Sequence, residues 1–466
     1  MGRSITERPI VAPATYYHQP SNRHYQITLR ERKRTEGALA RSRPPGREAS
    51  ISRHQLDEKG QAINSIEKSI DLSIGSGNHA ITYLNRTPQG RLLELPLSWY
   101  TKLNGYAMSP GYENSDHLDF RREISDSCLF CHSAGKQPAP IDCQRCHGPA
   151  QAHAAHPSKS NILNPARLTP QRQLETCLQC HLETASQGIV DSIRKPGRDV
   201  FSYRPGDPLS DYKSYFAPPT PQRFEINHAG FRLLQSRCFL ESKGAMTCTT
   251  CHDPHSARVK TGSCQSCHKQ PHTTEACTTC HMPKRTAADA IHTQMTDHKI
   301  TRRPETEDQT LYTGPVIDFY TKADPDTLAV ANDKEGDPAV YRRYLQRDPT
   351  NQPVLVSLGK ALLRRNQPAE AAATLQKAVQ LDSRDTNAQT YLAVAEAVQG
   401  NTQKALAILK QAVASNPDHA LARINLGITH EALGDVQSAL ADYAEALRLQ
   451  PDSAEAKQRR DALLKR

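Results

Sequence analysis

The chain has 466 residues, a length that predicts two or three domains at roughly 150 residues each. Only 37% of residues are apolar and 5% aromatic, a thin supply for a conventional side-chain core. The formal charge of +10 is not gathered into basic blocks interleaved with aromatics, so a nucleic-acid partner is not predicted. No run of about 18 apolar residues is present, so no transmembrane helix is predicted either.

Residues 1–50 are rich in Arg and Pro, and alternation at Tyr25, Ile27 and Leu29 predicts one strand there. Ile70, Leu72 and Ile74 alternate, GSG follows as a turn, and HAITYL continues the pattern, which reads as a β-hairpin. LLELPL, from Leu92 to Leu97, predicts a third strand, with Pro96 assigning it to a sheet edge. Trp99, the single tryptophan, is expected to pack over the small sheet or over the domain that follows. Residues 1–127 are thus read as a small N-terminal β-region packed on the next domain.

Between Cys128 and His281 the pattern Cys-x-x-Cys-His occurs six times: CLFCH, CQRCH, CLQCH, CTTCH, CQSCH and CTTCH. Each copy is a c-type haem attachment signal, which predicts six haem c groups. The cysteines are Cys128 and Cys131, Cys143 and Cys146, Cys177 and Cys180, Cys248 and Cys251, Cys264 and Cys267, and Cys277 and Cys280. They would form thioethers, and His132, His147, His181, His252, His268 and His281 would be proximal iron ligands. Zinc is the competing reading, but nothing in zinc chemistry demands a histidine after every pair. A disulfide framework would not place two cysteines three apart each time. The thirteenth cysteine, Cys238, reads as a buried small hydrophobe.

Haem c is attached outside the cytoplasmic membrane, so a periplasmic or extracellular location is expected. The segment MGRSITERPIVAPATYY has no apolar core of a secretory signal, which points to a mis-called or truncated start. About two propionates per haem would offset the positive charge.

The motifs start at 128, 143, 177, 248, 264 and 277, as a pair, a single and a trio. Between His181 and Cys248, six prolines from Pro196 to Pro221 disfavour long helices and predict an ordered loop. Residues 128–300 are read as a loop-rich, haem-cored domain and 301–337 as a linker. From residue 338 to 466 a 34-residue register appears: Ala371, Ala405 and Ala439; Ala378, Ala412 and Ala446; Leu358, Leu392 and Leu426. That period predicts a tetratricopeptide α-solenoid of three repeats, 351–384, 385–418 and 419–452, with a capping helix and half a repeat at 338–348. The fold class is mainly α, with the β-region in front. The solenoid is expected to bind protein.

Outside the motifs, residues 1–300 hold twelve histidines for six distal positions. His79, His153, His228, His255, His292 and His298 are the candidate distal ligands, with His117 in reserve; an isolated histidine fits an ordinary surface residue equally well. CHGPAQAH, SRCF, CTTCHDPH, CHMPKR and TDHKITR resemble the multihaem cytochromes c with doubled CxxCH motifs, related to the tetrahaem cytochrome of ammonia oxidisers and the pentahaem nitrite reductases. GSGNHAITYL and LPLSWY are similar to members fused to tetratricopeptide repeats. The resemblance implies distal roles for His153, His255 and the histidines of IHTQMTDH. Nitrite reductases of this group carry CxxCK at the catalytic haem, and this chain has no such motif.

The leading expectation is therefore an electron-transfer protein rather than an enzyme. Its repeats would dock redox partner proteins, with possible association with membrane-bound electron donors. The alternatives are a reductase of a small nitrogen or sulfur oxyanion at a five-coordinate haem, for which Lys299, Arg302, Arg303 and Tyr203 are pocket candidates, and an assembly scaffold with structural haems.

Overall fold

The computed structural model describes residues 10–31, 47–75, 77–136, 139–182, 194–219, 223–256, 258–268, 277–303 and 314–465. The chain divides into two compact units, one of residues 125–332 and one joining 5–124 to 333–466. The N-terminal β-region therefore belongs with the C-terminal helices, not with the cysteine-rich segment as the sequence order implied.

The β-region is also larger than a pair of hairpins. Strands β1 (Ala14–His18), β2 (Arg23–Glu31), β3 (Arg47–Leu56) and β4 (Ala62–Ser69) form one antiparallel sheet in chain order. Strands β5 (Leu72–Ile74), β6 (Ala80–Arg86), β7 (Leu92–Tyr100) and β8 (Gly105–Met108) form a second. The alternation at Tyr25 and Ile27 is the inward face of β2, joined across the ladder by Ile51 and Ile66. Gly75 turns the chain between β5 and β6 at φ +107, where an added Cβ would lie 2.6 Å from the Ala80 carbonyl oxygen.

β7 is an inner strand, bonded to both β6 and β8, so the edge assignment drawn from Pro96 does not hold. The β6–β7 register shifts between Thr82 and Leu84, opposite Ser98 and Glu94. Pro96 sits in that interruption, where a missing N–H costs no ladder bond, and its carbonyl accepts from Ser109 N–H at 2.8 Å. Trp99 packs edge-on against Tyr106, with ring centres 5.1 Å apart.

In the unit of residues 125–332, motif-bearing turns surround one longer helix. The helices are α1 (Asp126–His132), α2 (Gln144–His147), α3 (Gln151–Ala155), α4 (Pro170–His181), α5 (Ala229–Leu234), α6 (Arg237–Glu241), α7 (Cys248–Cys251), α8 (Cys277–His281) and α9 (Pro325–Asn332). Pro170 at the first turn and the Thr169 side chain, which accepts from Arg172 N–H, start α4. Its buried Leu174 and Leu178 pack with Tyr203, Leu209, Tyr215 and Phe231. Gly230 lets α5 approach closely: a Cβ there would meet Leu178 Cδ2 at 2.4 Å and the His181 carbonyl oxygen at 2.5 Å.

Strand β9 (Phe216–Ala217) pairs with β12 (Ile317–Asp318), and β10 (Lys284–Ala287) with β11 (Ala290–Thr296). Part of the expected linker is therefore folded here. Phe319 packs edge-on to Phe231 at 4.6 Å, and Tyr320 donates to Glu175 at 3.1 Å. Residues 304–313 of that linker lie outside the described residues.

The remaining helices are α10 (Pro338–Arg347), α11 (Gln352–Arg364), α12 (Pro368–Leu381), α13 (Thr386–Val398), α14 (Thr402–Ser415), α15 (Ala420–Ala432), α16 (Val436–Leu449) and α17 (Ala454–Leu463). They are the three expected pairs with a half-repeat before and a cap after. The alanines at 34-residue intervals are fully buried at helix crossings. Gly359 and Gly427 allow close approach, since a Cβ would meet Leu375 at 2.4 Å and Tyr443 at 2.7 Å.

Within this unit, arginines of the β-region reach the carbonyl ends of the repeat helices. Arg53 Nη2 donates to the Arg448 and Leu449 carbonyls at 3.2 and 3.5 Å, at the end of α16. Arg91 Nε donates to the Ser415 carbonyl at 3.2 Å, at the end of α14. Cations at helix C-termini meet the negative end of the macrodipole and bind carbonyls left without a helical partner.

Candidate functional site

Five of the six Cys-x-x-Cys-His segments form or enter an α-helical turn, and the fifth, at Cys264–Ser266, is a 3-10 turn. Residues i and i+3 of a helical turn lie on one face and i+4 follows on the same side, so a single turn aligns two sulfurs and one imidazole. The turn is closed from histidine N–H to the first cysteine carbonyl at 2.9 Å in three motifs: His147 to Cys143, His252 to Cys248 and His268 to Cys264. The first, third and sixth motifs lie within α1, α4 and α8. Thr247 and Thr250 cap the fourth turn reciprocally. Among the described residues none of the thirteen cysteines is fully buried, although cysteine is among the residue types most often found inside.

Two proximal candidates stand opposite distal candidates. The rings of His147 and His255 have centres 6.1 Å apart with planes at 10°. Those of His252 and His298 are 6.2 Å apart at 29°. Two imidazoles that would hold one metal ion, each at about 2 Å, have ring centres about 6 Å apart, so both separations are of that order.

The hydrogen bonds select the required tautomer. A carbonyl oxygen only accepts, so a ring nitrogen facing one must carry the proton, which leaves Nε2 with its lone pair. Nδ1 donates to the Leu163 carbonyl from His147 at 2.8 Å, to Thr301 from His281 at 2.7 Å and to Thr296 from His298 at 3.0 Å. His153 Nδ1 donates to Ser158 O and Asn161 Oδ1, both at 3.0 Å. The Ser158 N–H also approaches that nitrogen, at 3.4 Å, and the two shorter acceptor contacts decide. Beside His147 a cavity of about 570 Å³ is lined by Pro149, Ile162, Leu163 and Pro205, with Arg204 among its walls. Polar Ser160 and Asn161 share those walls with the apolar side chains.

Other candidates are placed differently. His228 is buried and its Nδ1 accepts from Glu225 N–H at 3.2 Å, which keeps the proton on Nε2, 3.5 Å from Glu225 Oε2. Phe224 and Phe231 stand edge-on around it at the start of α5, and in this tautomer Nε2 carries the proton and not a lone pair. His117 belongs to the β-containing unit, where Arg23 and Tyr25 face Nε2 and Asp119 N–H donates to Nδ1 at 3.1 Å. Burial and the Arg23 charge push its pKa down to about 3, so it stays neutral in that core. His79 is exposed in the same unit. His292 is half-buried on β11, and His272 lies outside the described residues. Tyr203 is buried against Tyr212, while Arg302 and Arg303 are exposed, so these do not assemble the expected pocket.

Sequence reasoning missed Asp297, which accepts from Arg232 and Arg285 beside His298. The only signal was its place in the TDHKITR stretch.

The comparisons concern the helical array. The tetratricopeptide repeat family model matches residues 356–413 and 398–454. Solved structures similar to the array include MamA, 28% identical over 28% of this chain and 81% of that one, TM-score 0.25. YrrB, described as a tetratricopeptide protein with an unusual peptide-binding site, is 24% identical over 29% of this chain and 75% of that one, TM-score 0.27. The first tetratricopeptide domain of Spaghetti (RPAP3), solved with an HSP90 peptide, is 24% identical over 25% and 94%, TM-score 0.24. No curated protein matches the chain. The C-terminal helices are thus tetratricopeptide repeats, a module of protein–protein interaction. Among the described residues, no helix is long and apolar enough to cross a membrane.

Proposed function

We propose that the chain is a hexahaem c-type cytochrome that transfers electrons, with its tetratricopeptide repeats docking a redox partner protein. The observation that carries this reading is the combination of six Cys-x-x-Cys-His turns with two imidazole pairs at iron-spanning separation. When bound, the haems would supply one-electron iron chemistry at potentials tuned by axial ligand, burial and hydrogen bonding. The twelve motif cysteines would anchor them, and His132, His147, His181, His252, His268 and His281 would be proximal ligands. His255 and His298 would close the second and fourth sites, and His153 presents a free Nε2 to a further one. Thioether attachment places the mature protein in the periplasm or outside the cell.

Reduced and oxidised spectra, with haem quantified per chain, test the reading. Six covalent haems are expected; stoichiometric zinc without haem would overturn it.

The second reading is a reductase of a small nitrogen or sulfur oxyanion at a five-coordinate haem: among the described residues, facing imidazole pairs are formed by two of the six motif histidines, His147 and His252. A high-spin ferric signal in electron paramagnetic resonance of the resting protein supports that reading, and six low-spin irons eliminate it.

A further inference from the structure

Asp297 is about 2% exposed and lies one residue before His298. Its Oδ1 accepts from Arg232 Nε at 2.9 Å and Oδ2 from Arg232 Nη2 at 2.7 Å, a bidentate pair with a guanidinium that is itself 3% exposed. Oδ2 also accepts from Arg285 Nε at 2.8 Å, and Oδ1 from the Lys299 N–H at 2.9 Å. The Asp297 N–H donates to the Pro283 carbonyl at 2.9 Å.

These bonds converge from three directions. Arg232 stands on α5, which rests on α4 and the third motif through Gly230. Arg285 and Pro283 follow the sixth motif by a few residues. Lys299 N–H closes a turn around His298, whose Nδ1 is held from the other side by the Thr296 carbonyl. Two residues further on, the Thr301 carbonyl accepts from His281 Nδ1.

We propose that Asp297, with Arg232 and Arg285, is a positioning clamp that aims His298 Nε2 at the iron held by His252, and that the same segment orients His281 through Thr301. The clamp rests on the hexahaem reading and extends it. Its physical basis is rigidity: a lone histidine on an irregular segment samples many orientations, whereas a buried aspartate whose carboxylate holds two guanidiniums and one backbone N–H, and whose own N–H is bonded, admits one. Removing Asp297 would free the 296–301 segment and leave the Arg232 guanidinium buried without its anion, so the imidazole would spend part of its time off axis. The role is positional, since Asp297 touches no haem ligand atom.

The experiment uses the full chain carrying its haems, with Asp297→Ala and His298→Ala compared by electron paramagnetic resonance and by carbon monoxide binding to the reduced protein. His298→Ala is expected to convert about one haem in six to the high-spin, carbon-monoxide-binding form. Asp297→Ala is expected to retain six haems and to raise carbon monoxide uptake at that same haem about tenfold, with restoration of the low-spin signal by added imidazole. If Asp297→Ala does not hold six haems, Arg285→Gln, which removes a partly exposed partner, is read in its place. Unchanged spin state and carbon monoxide uptake in these variants, while His298→Ala opens an iron, overturn the clamp alone. Six low-spin irons in His298→Ala overturn the His252–His298 pairing and the clamp with it. A chain that binds no haem removes the function on which both rest.

Discussion

Replacing Asp119 by Ala should unfold the β-containing unit under conditions in which the native chain is stable. Asp119 is buried and lies between two guanidiniums that are also buried: Arg53 Nε donates to it at 2.6 Å and Arg23 Nη1 lies 3.8 Å away. Tyr25 donates to its other oxygen at 3.2 Å. Arg53 bridges onward from β3 to the carbonyl end of α16, so the carboxylate supports the junction of sheet and repeats. Removing one partner of a buried pair costs about 3–5 kcal/mol, because the remaining charge keeps its desolvation penalty without compensation.

The control is Asp452→Ala, which removes a 43% exposed partner of Arg23 at 3.5 Å. Such a pair contributes about 0–1 kcal/mol. Trp99, the single tryptophan, sits against the core of this unit and reports its unfolding by fluorescence. With a urea slope of about 2 kcal/mol per molar, the Asp119→Ala midpoint should fall by about 2 M and that of Asp452→Ala by less than about 0.5 M. Equal shifts in the two variants would refute the reasoning, since burial would then not decide the cost.

Gly427→Ala should destabilise the repeats by about 1–3 kcal/mol, because its Cβ would meet the Tyr443 ring at 2.7 to 3.1 Å; the helical unfolding transition followed by circular dichroism reads this. His117 gives the β-containing unit a pH dependence. Its folded pKa of about 3 lies below the ordinary histidine value of 6.5, so the unfolded chain binds the proton first and stability is lost as pH falls from 6.5 towards 3. The slope is at most about 1.4 kcal/mol per pH unit. Relative to native protein, His117→Gln should gain stability progressively across that window in urea titrations, and a constant difference would contradict the assignment.

The repeats were the most legible part of the chain because their signal is local and redundant. Ala405 and Ala439 are small for a reason that recurs every 34 residues, and each recurrence checks the last. The β-region was legible only in its apolar positions. Arg23 and Arg53 occupy inward-facing sites in line with Tyr25 and Ile51, yet arginine in an alternating strand reads as outward. What makes them inward is Asp119 and the α16 carbonyls, about 66 and 395 residues away from Arg53 in the chain. Pro96 misled for a similar reason, since a register shift in the partner strand removed the hydrogen bond it could not make.

The motifs themselves needed no tertiary information. Two sulfurs and an imidazole at i, i+3 and i+4 meet through one helical turn, so covalent chemistry sets that spacing and the sequence displays it whole. The proposed distal partners are the opposite case. His255 and His298 stand beside His147 and His252 through contacts that cross 108 and 46 residues, while His228 and His117 have the same side chain and different neighbours. A histidine's use depends on which nitrogen keeps its proton, and that is decided by whichever carbonyl or N–H the fold brings to the ring. The sequence by itself determined the six Cys-x-x-Cys-His segments and the repeat period. Only the tertiary structure decided which imidazoles face each other, and that the β-region joins the repeats.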